Sequence, residues 1–400
     1  MKKGFKYEIA PNEEQIKYLN NVFGSTRFVY NHTLALTIEK YNESKEDPLL
    51  KKPNVSSTGL TYLAKPLREE FEFLKEVSSV AIQQKLMDLG RAYEGFFKNV
   101  KKGANPGFPK FKSKRHNRDS FRFTSAGFSL KGKNLYLAKC KTPFKVFWSR
   151  DLSSNPSSVT ISKTPTGKYF ASFVCDYEPE RKSGKGTLGV DVGLKVFAYT
   201  SANEGVANPK FLIQSMEKLA KAQRKLSKKK KGSANRKRAR IKVAKLHEKI
   251  SNQRKDFLHK LSSRLVNENQ VLVLESLNVK GMTKNRKIAK GVSDVSWSTF
   301  KQQILYKIQE TDKGQLVYAD PYFPSTQLCS TCNKTPEKKV EWDDRWYDCG
   351  CGNSKDRDYN AALNLKKMAK TLLKYRPELK EVKALIAPKY EEFKLFPEYS

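Results

Sequence analysis

The spacing of hydrophobic and polar residues predicts a mainly helical region near the start of the chain, followed by a region of strands. The opening segment GFKYEIA is predicted to be a strand, and PNEEQ begins a helix with Asn12 as N-cap and Gln15 at the capping-box position. Apolar residues recur at helical spacing from Ser79 to Val100, which predicts a second helix. From about 121 to 178 apolar and polar residues alternate with a period of two, which is typical of strands.

Beyond a polar linker at 179–186, which predicts a domain boundary, the pattern mixes strands and helices. TLGVDVGLKVFAYTS predicts two strands joined by a tight turn, and residues 216–265 predict a helical hairpin that turns at KKKKGSAN. Apolar runs at 270–279 and 314–325 predict buried strands, the first of which ends at Glu275. NAALNLKKMAKTLLK predicts a strong helix, and the residues after it carry no interpretable pattern.

The segment KKGANPGFPKFKSKRHNRDSFRF allows two interpretations. Gly and Pro end the preceding helix, and Phe108, Phe111, Phe121 and Phe123 alternate with Lys and Arg. Aromatic rings among cationic side chains are typical of nucleic-acid-binding surfaces, because bases stack on the rings. A loop anchored to a hydrophobic core by its phenylalanines would have the same pattern, and the sequence favours neither.

The chain carries a large excess of positive charge, with 78 Lys and Arg against 41 Asp and Glu and a formal net charge of +37. Such an excess indicates a polyanionic partner. A nucleic-acid duplex of about 20 base pairs presents roughly 40 phosphates, which matches this charge better than the roughly 6–10 phosphates that a compact DNA-binding module neutralises. On charge alone, a generic basic protein such as a ribosomal one remains an alternative.

The basic residues concentrate in the predicted hairpin. Between Lys221 and Lys255, 16 of 35 residues are Lys or Arg and Glu248 is the only acid, whereas a narrow apolar stripe indicates a packed helix. A merely solvated surface normally mixes charges of both signs, so this face predicts contact with a nucleic-acid backbone. The candidate contacts are Arg224, Lys228, Lys229, Lys230, Lys231, Arg236, Lys237, Arg238 and Arg240.

Several classes of protein are disfavoured. No apolar run approaches the roughly 18 residues that span a membrane, and the first residues contain no apolar signal segment, so we expect no membrane association and a cytoplasmic setting. Six cysteines in 400 residues are not a disulfide framework, and Cys140 and Cys175 are expected to be reduced core residues. The four histidines are scattered, which argues against a histidine-based zinc hydrolase or a Ser-His triad.

Three acidic residues occupy positions where carboxylates are costly unless they are paired or bind metal. Asp191 lies inside an apolar strand, Glu275 ends another, and Asp358 lies at the start of a helix, where it also favours the helix dipole. On an α/β pattern these positions can converge on one edge, and three hard oxygen donors suit Mg²⁺ or Mn²⁺. Two such ions promote phosphodiester cleavage. Taken singly, Asp191 could cap a turn and Asp358 could cap its helix.

Four cysteines predict a structural zinc site. Cys329-x2-Cys332 and Cys349-x-Cys351, separated by sixteen residues, supply four thiolates for a tetrahedral Zn²⁺. The second pair is one residue shorter than the usual spacing, and Asp348 occupies the usual first-ligand position, so Asp348 is an alternative oxygen ligand. Coincidental surface cysteines are the other interpretation.

Several motifs together resemble the TnpB family, transposon-encoded RNA-guided DNA nucleases related to the type V CRISPR effectors. GVDVGLK, VLVLESLNVKGM, PYFPSTQLCSTC and CGNSKDRDYNAALNL are similar to its RuvC segments and zinc ribbon. GSTRFVYNHTLA and NPGFPKFKSK are similar to its N-terminal motifs. The resemblance covers roughly residues 1–375, and DRDYNAALNL after a cysteine pair is highly specific.

The resemblance implies a multidomain α+β fold. A split β-barrel wedge domain would hold an inserted helical recognition domain, and an RNase H-like (RuvC) α/β nuclease domain would hold an inserted zinc ribbon. The implied domains are a wedge at 1–10 and 118–180, a recognition domain at 11–117, a RuvC domain at 181–325 and 353–375, a nucleic-acid-binding zinc ribbon at 326–352, and an unassigned tail at 376–400.

By position, the resemblance implies that Asp191, Glu275 and Asp358 are the catalytic acids and bind magnesium, with Asp358 a better match than Asp356. In the family the ribbon precedes the third acid and helps to load the target strand. Arg357, beside that acid, is expected to contact a phosphate.

Two further residues fall where the family reads a short DNA motif next to the target. Gln83 is predicted on the polar side of the second helix, and Gln can pair bidentately with adenine. Thr124 is the other candidate. The sequence departs from the family pattern in the short Cys349–Cys351 pair and in Asn333, which replaces a glycine after Cys332.

The resemblance implies a guide-RNA-dependent endonuclease that cleaves double-stranded DNA by two-metal-ion hydrolysis. The implied cofactors are two Mg²⁺ (or Mn²⁺), a structural Zn²⁺ and a guide RNA. We expect a monomer in complex with its RNA, in a prokaryotic cytoplasm and associated with the nucleoid. The alternatives are a nuclease-inactive RNA-guided repressor, a CRISPR-recruited type V effector and a DNA transposase.

Overall fold

The computed structural model divides the chain into two compact units, Met1–Glu178 and Pro179–Ser400. The boundary coincides with the start of the polar linker. The residues that it describes are 1–103, 107–114, 119–336, 338–341, 344–375 and 381–383. The predicted domain boundary at 117–118 and most of the tail at 376–400 lie outside the described residues.

The first unit combines strands with a set of helices that follows its first strand. The helices are α1 (Glu13–Glu46), α2 (Ser57–Leu63), α3 (Leu67–Glu70) and α4 (Ser79–Lys101). The strands are β1 (Lys2–Ile9), β2 (Ser120–Thr124), β3 (Phe128–Lys131), β4 (Asn134–Leu137), β5 (Phe144–Phe147), β6 (Ser158–Lys163) and β7 (Tyr169–Asp176).

These strands form one antiparallel sheet in the order β2-β6-β7-β1-β5-β4-β3. Its edge strands, β2 and β3, are consecutive in sequence and are joined by a 3₁₀ turn at Ser125–Gly127, so the sheet is close to a barrel. The alternating pattern of β7 places every second side chain in the core, as predicted. These buried residues are Tyr169, Ala171, Phe173 and Cys175. Leu19 and Phe23 of α1 complete this core.

Two sequence features of the first unit have clear structural outcomes. Asn12 and Gln15 form the predicted capping box at the start of α1, with each side chain accepting the other residue's backbone N–H. The four phenylalanines of the Gly- and Pro-containing segment differ in burial. Phe121 and Phe123 are buried in the core, whereas Phe108 and Phe111 are exposed by 43% and 56%.

The second unit is built on a mixed sheet. Its strands are β8 (Thr187–Val192), β9 (Val196–Thr200), β10 (Gly205–Ala207), β11 (Val271–Leu274), β12 (Gln315–Tyr318), β13 (Trp346–Asp348), β14 (Ser354–Asp356) and β15 (Glu381–Lys383). Its helices are α5 (Phe211–Ser227), α6 (Ala234–Glu268), α7 (Val279–Met282), α8 (Ala289–Val295), α9 (Trp297–Gln309) and α10 (Arg357–Tyr375).

The mixed sheet has the order β10-β9-β8-β11-β12-β15. β8, β11, β12 and β15 run parallel, and β9 and β10 are antiparallel additions. β15 is a strand that the sequence pattern did not predict. β13 and β14 form a separate two-stranded antiparallel hairpin that ends at Asp356 and is called the ribbon hairpin below. Among the described residues, no helix is long and apolar enough to cross a membrane.

Candidate functional site

Asp191 and Glu275 are brought side by side by the register of the sheet. In the parallel pairing of β8 with β11, Val190 lies opposite Leu274, so the residues that follow, Asp191 and Glu275, are level with each other. Both lie at the carboxyl ends of their strands, which share one edge of a parallel sheet. Glu275 lies close enough for its negative charge to raise the pKa of Asp191.

The third acid is brought to the same edge by α10, which packs closely on β8. At Gly189 of β8 a β-carbon would lie 2.1 Å from the backbone oxygen of Ala362 and 2.7 Å from the backbone nitrogen of Lys366, so only glycine permits this approach. Asp358 is in the first turn of α10, one helical turn before Ala362, and is buried. The close approach therefore fixes the distance between Asp358 and Asp191.

The two aspartates of the DRD segment have different local roles. Asp356 is the residue before α10, and its Oδ1 accepts the backbone N–H groups of Asp358 at 2.9 Å and Tyr359 at 3.3 Å. This is the hydrogen bonding of an N-cap. Asp356, and not Asp358, therefore caps α10. The Asp358 carboxylate contacts other groups.

Negative charge is crowded around Asp191. Burial raises the pKa of Asp191 well above its usual range, and the neighbouring carboxylates of Glu275 and Asp358 raise it further, while Arg357 opposes the shift. A divalent cation would relieve this repulsion, and carboxylate oxygens are the ligands that Mg²⁺ and Mn²⁺ prefer. The donor set thus fits the expected metal chemistry.

Two residues that the sequence patterns did not single out contact Glu275. Ser325, a buried residue after β12, donates its hydroxyl to Glu275 Oε1 at 2.6 Å. Lys301 of α9 donates its ammonium group to the backbone oxygen of Glu275. Burial lowers the pKa of Lys301 to about 8, although the charge of Glu275 acts in the opposite direction. Only the folded chain brings these side chains to the end of β11, so no local signal identified them.

Asp358 is held by two arginines. Arg345 Nη1 lies 3.0 Å from Asp358 Oδ2 while its Nη2 lies 3.0 Å from Asp356 Oδ2, and Arg357 Nη2 lies 3.1 Å from Asp358 Oδ1. Arg357 also donates to the backbone oxygen of Glu341 at 3.1 Å. The residue expected to contact a phosphate is thus engaged with the acid beside it, and Arg345 is a site residue that the sequence patterns missed.

The four cysteines of the ribbon form a compact cluster, and all four sulfur atoms lie within 4.8 Å of one another. Cys329 Sγ is 3.6 Å from Cys351 Sγ, and Cys332 Sγ is 3.7 Å from Cys349 Sγ. A tetrahedron of sulfurs around an ion with bonds of about 2.3 Å has edges of about 3.8 Å. The cluster therefore has the dimensions of a tetrahedral zinc site, and the short Cys349–Cys351 pair does not prevent it.

The departures from the family pattern are accommodated by local backbone geometry. Asn333, in place of glycine, takes a left-handed conformation with φ of 58°, which Asn tolerates better than most residues. Burial would raise the pKa of Cys329, but hydrogen bonds from the backbone of Cys332 and Thr331 outweigh it and lower that pKa to about 6. Asp348, the alternative ligand, instead accepts a hydrogen bond from the Ser354 hydroxyl.

Asparagines of α10 attach the cysteine site to the helix that carries Asp358. Asn360 is fully buried, donates to the backbone oxygen of Leu328 at 2.6 Å and accepts the backbone N–H of Ser330 at 2.9 Å. Asn364 donates to the same Leu328 oxygen at 2.7 Å and to that of Ser325 at 2.8 Å. These bonds join the first cysteine pair to the helix beneath it, and both asparagines belong to the NAALNL motif.

The basic hairpin forms as predicted, with α5 and α6 packed together around an apolar stripe that ends at buried Ile250. Arg236 differs from its neighbours, because its Nη1 donates to the backbone oxygens of Leu226 at 3.0 Å and Lys229 at 2.8 Å. It holds the turn of the hairpin. The other predicted contacts of the hairpin are exposed, namely Arg224, Lys228, Lys229, Lys230, Lys231, Lys237, Arg238 and Arg240.

The two motif-reading candidates lie on neighbouring elements of the first unit. Gln83 is exposed on α4, and Thr124 is half-buried at the end of β2. Arg122 of β2 joins these elements, because its Nε donates to Gln84 Oε1 at 2.8 Å.

Three family models match the chain. One described as "Probable transposase" matches residues 172–286, and one described as "Cas12f1-like, TNB domain" matches residues 297–365. A third, described as "Helix-turn-helix domain", matches residues 1–46, where the structure has β1 and the single helix α1.

Similar proteins cover nearly the whole chain. A protein of Streptomyces pristinaespiralis named "Putative RNA-guided DNA endonuclease" is 39% identical over 369 residues, which cover 91% of this chain and 89% of the relative. "Putative RNA-guided DNA endonuclease InsQ" of Escherichia coli (strain K12) is 29% identical over 353 residues, which cover 84% of each chain. The fold is similar to that of a Cas12f1 chain solved by cryo-EM with sgRNA and target DNA, with a TM-score of 0.56 at 16% identity over 89% of this chain and 83% of that chain. The motifs, the fold and these relatives together establish that the chain belongs to the TnpB family.

Proposed function

We propose that this protein is a guide-RNA-dependent endonuclease that cleaves double-stranded DNA at a site formed by Asp191, Glu275 and Asp358. The convergence of three carboxylates from two parallel strands and one helix start carries this proposal. The relatives named as RNA-guided DNA endonucleases support it, and so does the similarity to a Cas12f1 chain. The mixed sheet supports an RNase H-like (RuvC) assignment for the second unit.

The acids would hold two Mg²⁺ or Mn²⁺ ions, which when bound activate water and stabilise the leaving oxygen of a phosphodiester. Asp191 is influenced by both other acids, because the charges of Glu275 and Asp358 each raise its pKa. Ser325 orients Glu275 through the hydrogen bond to Oε1. Asp356 keeps the start of α10 in place, and so keeps Asp358 at the strand edge.

The remaining regions have proposed roles in holding nucleic acid. The antiparallel sheet of the first unit would be the wedge domain, and α1 to α4 would be the recognition domain, with Gln83 and Thr124 as candidates for reading the adjacent DNA motif. The exposed cations of the α5–α6 hairpin would bind the backbone of the RNA or the DNA. A structural Zn²⁺ at the four cysteines would hold the ribbon beside Asp358.

The test uses the protein purified with the RNA that it retains, which is sequenced to design a matched plasmid target. The wild-type complex should linearise the matched plasmid with Mg²⁺, and Asp191→Ala should lose cleavage while retaining target binding in a gel-shift assay. Ser157→Ala, a surface change in the first unit, serves as the control and should cleave normally. Robust cleavage by Asp191→Ala would refute the site, and guide-dependent binding without any cleavage by the wild type would indicate an RNA-guided repressor.

A second candidate is DNA transposition, which the description "Probable transposase" for residues 172–286 favours. Acid-bound metal ions could also promote strand transfer, in which a DNA 3′-hydroxyl attacks a target phosphodiester. The same plasmid assay distinguishes the two functions, because a transposase would yield covalently joined products and a nuclease would yield only ends.

A further inference from the structure

A single arginine of the ribbon spans the two aspartates that flank Arg357. Arg345 directs one nitrogen of its guanidinium to Asp358 and the other to Asp356, each at 3.0 Å. Its own position is fixed by the ribbon hairpin, because the backbone N–H of Arg357 donates to the Arg345 oxygen at 3.0 Å. The same hairpin carries Cys349 beyond the other end of β13. Arg345 is thus a physical link between the cysteine site and the third acid.

The link occupies oxygens that a metal ion would need. Asp358 Oδ2 is paired with Arg345 and Asp358 Oδ1 with Arg357, so both oxygens face cationic groups. Within the part of the chain that the structure describes, the four cysteines are the only group of three or more possible metal ligands whose ligand atoms all lie within 4.8 Å of one another. The three carboxylates are therefore less closely gathered than the thiolates.

We propose that Arg345 is a positioning residue that holds Asp358 against the ribbon and competes with the divalent cation for its carboxylate. This inference rests on the proposed function, because it assumes that Asp191, Glu275 and Asp358 bind the cation. Movement of the ribbon, which displaces Arg345, would free Asp358 Oδ2 and raise the affinity of the acids for metal. The position of the ribbon would then control how tightly the three acids bind the metal ion.

The competition can be measured on the full-length, zinc-loaded protein by titrating Mn²⁺ and following the free ion by electron paramagnetic resonance. Arg345→Ala removes the competing cation, and because half-exposed ion pairs are modest in strength, Mn²⁺ should bind about fivefold more tightly than to the wild type. Arg345 and Lys339 both line an open cavity beside the cysteine site. The control is therefore Lys339→Ala, which removes an equal charge from that cavity without a contact to Asp358. It should leave the affinity unchanged.

The outcomes separate this inference from the proposed function. Unchanged or weaker Mn²⁺ binding by Arg345→Ala would overturn the proposed role of Arg345. Equal tightening of Mn²⁺ binding in Lys339→Ala would also overturn it, because it would indicate only a general charge effect. Structural damage cannot imitate the expected result, because a distorted site would bind Mn²⁺ more weakly. Asp191→Asn provides the separate test of the site itself, since Mn²⁺ binding that persists in that variant would place the ion elsewhere and refute the acid assignment.

Discussion

The close approach of β8 and α10 makes Gly189 a position where a single added methyl group should be disruptive. In Gly189→Ala the new β-carbon would lie 2.1 Å from the Ala362 oxygen, whereas real β-carbon contacts below 3.0 Å are essentially never seen. Strand and helix must therefore separate by about 1 Å, and because the obstructing atoms belong to the backbone, no side chain can rotate to relieve the contact. Overpacking of this kind costs about 1–3 kcal/mol of unfolding free energy.

The separation should also reduce activity. Asp191 follows Gly189 on β8 and Asp358 precedes Ala362 on α10, so a shift of about 1 Å between strand and helix changes the distance between two site acids. Misplacement by about 1 Å can reduce the rate by about 100-fold. Urea unfolding followed by tryptophan fluorescence, which includes buried Trp297, measures the stability, and plasmid cleavage measures the rate.

The matched control is Gly4→Ala. Gly4 also lies in a strand, but its β-carbon would meet no atom within 4 Å, so the substitution should be neutral or slightly stabilising. The reasoning is refuted if the unfolding free energy of Gly189→Ala lies within about 0.5 kcal/mol of the wild-type value and its cleavage rate is unchanged. The packing of α10 on β8 would then not set the geometry of the acids.

Two further predictions concern the ribbon and the hairpin. Elemental analysis should find one zinc per chain, which is lost in both Cys329→Ser and Cys351→Ser. The zinc should be kept in Asp348→Ala, because Asp348 accepts a hydrogen bond from Ser354 and is not needed as a ligand. A folded, active wild type without zinc would contradict this prediction. Replacing the four lysines of the hairpin turn with alanine should weaken nucleic-acid binding and reduce the magnitude of the slope of log affinity against log salt by up to about 3.6, since each lost phosphate contact removes about 0.7–0.9. An unchanged slope would show that they face only bulk solvent. The lysines are Lys228, Lys229, Lys230 and Lys231.

The sequence alone was sufficient to identify the features that depend on neighbours along the chain. Helical and strand periodicity located α4, β7 and the α5–α6 hairpin, because burial on one face imposes a period on the local sequence. The four cysteines and the acids could be named as candidates in the same way, since a thiolate set or a carboxylate inside an apolar strand is unusual in itself.

What only the tertiary structure decided is which side chains are partners across long separations. Whether Asp356 or Asp358 caps α10 depends on the geometry at the helix start, and Asp356 caps it. Arg236 looked like any other cation of the hairpin until folding placed the backbone oxygens of Leu226 and Lys229 beside it.

The same holds for the surroundings of the acids. Lys301 and Ser325 reach Glu275 across 26 and 50 positions of the chain, and Arg345 reaches Asp358 only because the ribbon hairpin folds back toward the start of α10. Periodicity indicates whether a residue is buried, but not which residue it contacts. Burial constrains one side chain at a time, whereas a long-range contact depends on the course of two chain segments in three dimensions. The sequence therefore identified the three acids as candidates, and the fold decided which groups contact them.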